Sequence, residues 1–417
     1  MTRLSATNSN WEMGMVPKEY FLTWNRQVGA VTMAVSGAQR DEFILEDGKR
    51  IYDFTSTSFQ TSFGHTCDPI RKRIHQQLDA MPIASPKAIF GLKQQVSSDL
   101  LDLLDLSATD GRRGKIFYTV SGSEAVENAL KMARHFTGRE IILARKASYH
   151  GASLGAMSVS GDWRSDPHVN FSAGTVRIPE PHDDPSGAAT ADIIRKTGGE
   201  KIAAVIVETI SGVNGVAIPP MSWWEAIGEL CREHGILLIC DEVLSGFGRT
   251  GPAFAFQHFS LQPDLVCMSK GITGGYVPFG AVWVSDRIGE QYNDDVLACG
   301  LTNYGHPLGL AALDGVLSLL KDPSFGTQKQ ALESCFSDLL CELVEQHSCI
   351  KGFRNRGLLA AIDFACALPP WQTFLEAGLY VVLRDQMLIL APPFISTSER
   401  LAEAFQSLDK VVRNTLD

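Results

Sequence analysis

Gly235-Ile-Leu-Leu-Ile-Cys-Asp-Glu242 decides how the rest of the chain is read. An apolar run with no polar break ends abruptly in two carboxylates. It is too short for a buried helix and shows no alternation, so it fits a strand covered on both faces. The same reading holds for Lys115-Ile-Phe-Tyr-Thr119, Glu140-Ile-Ile-Leu-Ala144, Ile202-Ala-Ala-Val-Ile-Val207, Leu265-Val-Cys-Met268 and Gly280-Ala-Val-Trp-Val284. Helical patterns lie between several of them, notably Ala125–Phe136 and Ser222–His234. Strands of this kind alternating with helices predict an α/β domain, its largely parallel sheet sandwiched by helices. Ligands of such sheets bind beyond the carboxyl ends of the strands.

Upstream, Glu42-Phe-Ile-Leu-Glu-Asp-Gly-Lys-Arg-Ile-Tyr-Asp53 reads as a hairpin turning at Glu-Asp-Gly. Helices are expected over Ile70–Met81 and Leu92–Leu106, and later over Leu308–Leu320, Lys329–Gln346 and Ser398–Leu416. A chain of 417 residues has room for two or three compact units. The expected division is an N-terminal segment, 1–64, that joins a smaller α+β domain, a large domain over 65–300, and a C-terminal part of the small domain over 301–417.

Lys and Arg total 37 against 47 for Asp and Glu, a net charge of −10, which argues against a nucleic-acid surface. No stretch approaches the ~18 uninterrupted apolar residues of a membrane span. The segment Met1–Tyr20 lacks the apolar core of a secretory signal. The nine cysteines are odd in number and contain no CxxC pair, which fits reduced thiols in a cytoplasmic protein, with no disulfide frame and no metal site.

Four strand ends carry chemistry. After the first strand, Tyr118-Thr-Val-Ser121-Gly122-Ser123-Glu124 enters a helix whose free amides suit a phosphate monoester, with Ser121 and Ser123 as added donors; an ordinary Ser N-cap would look the same. Asp241 ends a buried strand and needs a cationic or hydrogen-bonding partner, either a protonated pyridine nitrogen or the nearby Arg249. Lys270 stands at the mouth of an apolar strand, where an amine loses its proton more readily and can join an aldehyde, although most lysines after strands are simply solvated. Tyr149-His150-Gly151 offers an aromatic face for a flat heterocycle, or a core aromatic beside a turn. Phosphate cup, aromatic face, acid and amine are together the four handles of pyridoxal 5′-phosphate (PLP).

The stretch Asp241-Glu-Val-Leu-Ser-Gly-Phe-Gly-Arg-Thr-Gly251, followed by Pro263-Asp-Leu-Val-Cys-Met-Ser-Lys270-Gly271, resembles the class III (ω-type) aminotransferases, which are fold-type I PLP enzymes with a seven-stranded sheet. The similarity runs from Asp53-Phe-Thr-Ser-Thr-Ser58 to Ala391-Pro-Pro-Phe394. It implies that Lys270 bonds the cofactor aldehyde and Asp241 pairs with its ring nitrogen. Val243 would pack on the ring face opposite Tyr149, with His150 beside it, and Ser121, Gly122 and Ser123 would bind the phosphate. Glu208 corresponds to an acid near the cofactor. Thr302, in Gly300-Leu-Thr-Asn-Tyr-Gly-His306, resembles a threonine that reaches the phosphate of the neighbouring subunit, implying a homodimer with shared sites.

The resemblance also implies a ping-pong amino-group transfer from an amine or amino acid to an oxo acid, pyruvate or 2-oxoglutarate. A 2,1-aminomutase or racemase on the same scaffold, or a non-catalytic binding protein, are the alternatives. Three departures stand out. Leu244 replaces a common glutamine, Thr209 replaces a proline, and Val382 occupies the place of a carboxylate-binding arginine. Arg384, two residues along the same strand face, is the expected substitute; otherwise the substrate is an amine or carries an unusual acid group, or another arginine holds the carboxylate. Tyr20, Phe21, Trp24, Ser56, Ser58 and Phe59 are candidate pocket walls, with core packing the other reading of the aromatics.

Overall fold

The computed structural model describes residues 19–106, 111–168 and 174–416. Near the start, β1 (Val35–Gln39), β2 (Glu42–Leu45) and β3 (Arg50–Asp53) form an antiparallel set, so the hairpin over Glu42–Asp53 gains a strand in front of it.

Seven strands build the large sheet: β4 (Lys115–Thr119), β5 (Ile141–Arg145), β6 (Thr175–Ile178), β7 (Ile202–Glu208), β8 (Leu237–Asp241), β9 (Leu265–Met268) and β10 (Gly280–Val284). Their order is β4-β10-β9-β8-β7-β5-β6, with β10 antiparallel to both neighbours and the other pairs parallel. The sequence reading passed over β6. It is an edge strand, Thr-Val-Arg-Ile, half-buried for most of its length, and so has no apolar run to reveal it. Every residue of β7, β8, β9 and β10 is buried, and each enclosed aliphatic side chain contributes about 1.5–3 kcal/mol.

The last strands are β11 (Ile350–Arg356), β12 (Leu359–Phe364), β13 (Leu379–Tyr380), β14 (Val382–Arg384) and β15 (Met387–Leu390). Four of them pair antiparallel in the order β11-β12-β15-β14, while β13 crosses over to lie parallel to β3. The N-terminal strands therefore share a sheet with the C-terminal part of the chain.

Between β3 and the first long helix, Ser56, Thr57, Ser58 and Phe59 all adopt left-handed backbone angles, with φ of 47°, 46°, 60° and 72°. Left-handed geometry costs a non-glycine residue roughly 1–2 kcal/mol, so the turn must be held in place. The buried Asp53 carboxylate holds it, accepting from the Thr57 amide (2.8 Å), the Thr57 hydroxyl (2.7 Å) and His65 Nε2 (3.0 Å).

The helices Asp68–Ala80 and Pro307–Leu320 pack against each other with Gly315 facing Ile70, where a Cβ would lie 2.7 Å from the Ile70 Cα. Gly228, inside the helix Met221–His234, has open space around its absent Cβ. Alanine gains about 1 kcal/mol over glycine in a helix interior, whereas forcing an atom into a filled contact costs about 1–3 kcal/mol. Gly228→Ala should therefore raise the denaturation midpoint and Gly315→Ala should lower it, measured side by side in urea. Equal shifts in the two variants would refute the close approach.

Candidate active site

Strand register brings the charged groups together. Glu208 ends β7 opposite Asp241, which ends β8, and Asp241 pairs with Cys267 of β9, three residues before Lys270. Around their ends lies a cavity of about 180 Å³, lined among others by Ser121, Gly122, Ser123, Tyr149, His150, Glu208, Asp241, Val243 and Lys270. A larger groove of about 610 Å³ opens at the opposite ends of these strands, beside Trp224, Phe259 and Asp264. It does not touch this constellation.

The phosphate-cup residues sit where β4 turns into the helix Gly122–Thr137. Ser121 caps that helix, its Oγ accepting from the Glu124 amide at 3.2 Å, while the Glu124 carboxylate accepts from the Val120 amide at 3.0 Å. That exchange leaves the Gly122 and Ser123 amides without partners among the described residues, facing the cavity with the positive end of the helix dipole. A Cβ on Gly122 would lie 2.9 Å from Val243 and fill the approach. Gly151, at φ 138°, passes so close to Ser123 that any side chain would overlap its hydroxyl.

Asp241 is 5% exposed and is tied to His150 rather than to Arg249. His150 Nδ1 lies 2.7 Å from Asp241 Oδ2, and the imidazole donates because a carboxylate only accepts; Asp241 Oδ1 accepts from the Val243 amide at 3.0 Å. Among the described residues the buried His150 Nε2 has no partner. Arg249 spends its terminal nitrogens on the carbonyls of Leu358 and Pro392 and the hydroxyls of Ser56 and Ser62.

Glu208 accepts from the Tyr149 amide (3.0 Å), the Gly212 amide (3.2 Å) and Arg145 (3.3 Å). Arg145 is fully buried and also binds Glu180, which accepts from the Ala147 amide. Two carboxylates bridged by one arginine thus fix the loop that carries Tyr149.

Lys270 has a left-handed φ of 46°, and its side chain has no hydrogen-bond or ion-pair partner among the described residues; its Nζ lies 5.6 Å from the Phe59 ring centroid. Burial lowers its pKa, against the upward pull of the Asp241 and Glu208 carboxylates, and Arg164 lowers it further. A non-glycine residue in this backbone region is the kind of strain that collects at reactive sites.

Other expected residues lie elsewhere. Arg384, on β14, is outside the cavity lining, and its guanidinium is 3.8 Å from the neighbouring Asp385. Thr302 is exposed and also outside the lining. Tyr20 and Phe21 are exposed, which removes core packing as their role, and Trp24 meets Tyr149 edge-on at 6.4 Å. Ser56 is a buried structural hydroxyl that donates to the Ala391 carbonyl. The sequence reading missed Arg145 and Arg164, which come from loops and strand ends with no motif of their own.

The residues present fit PLP. Among the described residues, unpartnered amides at a helix start suit its phosphate, a buried carboxylate suits a protonated ring nitrogen, and an amine with no hydrogen-bond partner at the cavity wall suits its aldehyde.

Residues 23–412 match the family Aminotransferase class-III. An omega-aminotransferase of Caulobacter vibrioides is 30% identical, over 94% of this chain and 95% of its own length. An acetylornithine aminotransferase of Bacillus cereus is 31% identical, over 88% and 91%. The solved taurine:2-oxoglutarate aminotransferase from Bifidobacterium kashiwanohense, in complex with PLP and glutamate, has a TM-score of 0.88 at 32% identity and covers 96% of this chain and 97% of its own. A PLP-bound amine transaminase from an uncultivated Pseudomonas species has a TM-score of 0.87 at 26% identity, covering 95% and 99%. The chain belongs to the class III aminotransferases.

Proposed function

We propose that this aminotransferase carries PLP in the cavity between Gly122 and Lys270 and transfers an amino group from an amine or amino acid to pyruvate or 2-oxoglutarate. The observation that carries this reading is the β7-β8-β9 register, which sets two acids and an unpaired amine around one cavity at the ends of apolar strands. Bound there, PLP supplies an electron-withdrawing ring that stabilises negative charge on the carbon beside the transferred nitrogen.

The chain's own residues supply the rest. Asp241, oriented by His150 and the Val243 amide, holds a proton at the ring nitrogen. Lys270 Nζ, whose pKa burial lowers, would hold the cofactor at its aldehyde and, when free, would be placed to carry a proton to and from the substrate carbon. Tyr149 and Val243 would hold the ring between them, and Ser121, Gly122 and Ser123 would hold the phosphate. Glu208 acts through Tyr149, whose amide it fixes.

Two copies of the chain form the working unit in this reading. Thr302 sits on an exposed turn away from its own cavity, and the nearby Val296 is 84% exposed, which supports a face covered by a second subunit. A cytoplasmic setting is supported by nine cysteines that form no disulfide among the described residues.

Mixing donor amines with either oxo acid should yield ketone and new amino acid in equal amounts. Borohydride treatment should leave one cofactor mass per chain in the wild type and none in Lys270→Ala, read by intact mass. An isomerised donor formed without any oxo acid would instead mark a mutase or racemase.

Asp241→Asn should slow proton removal by about 10²-fold or more while changing donor affinity much less, in rapid-mixing absorbance traces. Because the Asp241 anion raises the Lys270 pKa, its loss should move the pH midpoint for acylation of Lys270 in cofactor-free protein downward. An upward move would contradict the assigned electrostatics.

Sedimentation should give twice the chain mass, and Thr302→Ala should release cofactor faster at unchanged mass. A monomer that retains activity would overturn the shared-site reading.

A further inference from the structure

We propose that Arg354 is a positioning residue: by gripping the Gly215 carbonyl from a separate sheet, it holds the aliphatic wall of the cavity, Ile210 and Val213, in place against the cofactor. The proposal rests on the reading that puts PLP in this cavity, and it names what keeps one side of the cavity shut.

The wall belongs to the segment 209–220, which follows β7. Ile210, Val213 and Leu244 line the cavity, and Leu244 packs so close to Gly212 that a Cβ there would overlap it. The segment folds tightly on itself. Ser211 donates its amide to the Ala217 carbonyl (3.0 Å), Val216 donates to the Gly212 carbonyl (3.2 Å), and Gly212 donates to the Glu208 carboxylate (3.2 Å). A shift here would reach Glu208 and, through it, the Tyr149 amide.

This shape is not one the segment's own residues favour. Val216 is fully buried and has a φ of 50°. A left-handed angle is an outlier for a β-branched side chain, and it persists only where the surroundings impose it. Among the described residues, the buried Ser211 Oγ and Asn214 Nδ2 have no partner, so these two side chains add no restraint of their own.

Arg354 supplies the restraint from outside. It lies on β11, and its Nε donates to the Gly215 carbonyl at 2.8 Å. That carbonyl belongs to the planar peptide unit joining Gly215 to Val216, so fixing its direction fixes the Val216 φ. Both Nη groups donate to Asp363 of β12, Nη2 at 3.1 Å, and Nη2 also lies 3.7 Å from the Met387 Sδ of β15. Two neighbouring strands thus aim the planar fork while its remaining donor faces the segment. Gly215, at φ 94°, permits the approach: a Cβ there would lie 2.9 Å from Met387 Sδ and 3.4 Å from Arg354 Nη2.

The test separates a grip on the segment from an ordinary cross-strand ion pair. Arg354→Met removes every donor and keeps an apolar stem, whereas Asp363→Asn breaks the ion pair and leaves the Gly215 bond. Amide hydrogen exchange, read by mass spectrometry on cofactor-free protein, should quicken at least about tenfold for Ser211, Gly212 and Val216 in Arg354→Met and less than about threefold in Asp363→Asn, with β7 unchanged in both. In the holoenzyme, PLP release after dilution, followed by visible absorbance, should quicken in Arg354→Met and stay near the wild-type rate in Asp363→Asn. Arg354→Lys keeps one donor group and should recover part of both losses. Because Arg354→Met strands Asp363, the pair Arg354→Met/Asp363→Asn is measured alongside it and should behave as Arg354→Met alone. Unchanged exchange of the three amides in Arg354→Met, equal acceleration in Arg354→Met and Asp363→Asn, or PLP release unaffected by a loosened segment would overturn the proposal. If the wild type takes up no PLP, the cofactor reading fails separately, and exchange in the cofactor-free protein still decides whether Arg354 holds the wall.

Discussion

A carboxylate and an amine at the ends of strands with no other polar side chain are costly to keep, and the architecture around the site follows from that cost. Asp241 is almost wholly removed from water, and an imidazole and a backbone amide donate hydrogen bonds to it there. The Lys270 amine has no hydrogen-bond partner among the described residues, and burial lowers its pKa against the upward pull of Asp241 and Glu208. The same dry environment serves the two groups in opposite ways, and the difference lies in which of them was given donors.

The surrounding polar groups divide the work of holding this pair in place. Arg145 joins Glu180 and Glu208, and those acids in turn grip the amides of Ala147 and Tyr149. Removing one member of such a buried trio strands the others, so it fixes loop geometry more than it adds net stability. Gly122 and Gly151 act by what they lack, since a side chain on either would close the approach to the helix start. The site is therefore built from satisfied charges at its rear and unsatisfied donors at its front.

Much of this was readable from the chain because the strands are apolar runs with abrupt polar ends. Asp241, Lys270, Gly122 and Tyr149 each follow such a run, and the Asp241–Lys270 signature identified the family. The edge strand Thr175–Ile178 was not legible, since half-exposed residues carry no run, and neither was the pairing of β13 with β3, which joins distant parts of the sequence. The partner of Asp241 could not be chosen between a ring nitrogen, Arg249 and other groups, because His150 reaches it only through the fold. Arg164 was invisible for the same reason: a cation among three aromatic rings is a property of packing, and spacing along the chain does not report it.

The parallel pairing of β3 with β13 has a consequence for biosynthesis. At about 5–20 residues per second, the ribosome delivers Leu379 on the order of tens of seconds after Asp53. The large sheet, whose strands lie between them, has its whole sequence available during that wait, while β3 keeps one edge open. Asp53 sits in that late-closing pair, opposite Tyr380, and also clamps the left-handed turn whose Phe59 ring stands beside Lys270. The nascent chain thus has the whole sequence of its large sheet in hand before β3 can gain its second neighbour.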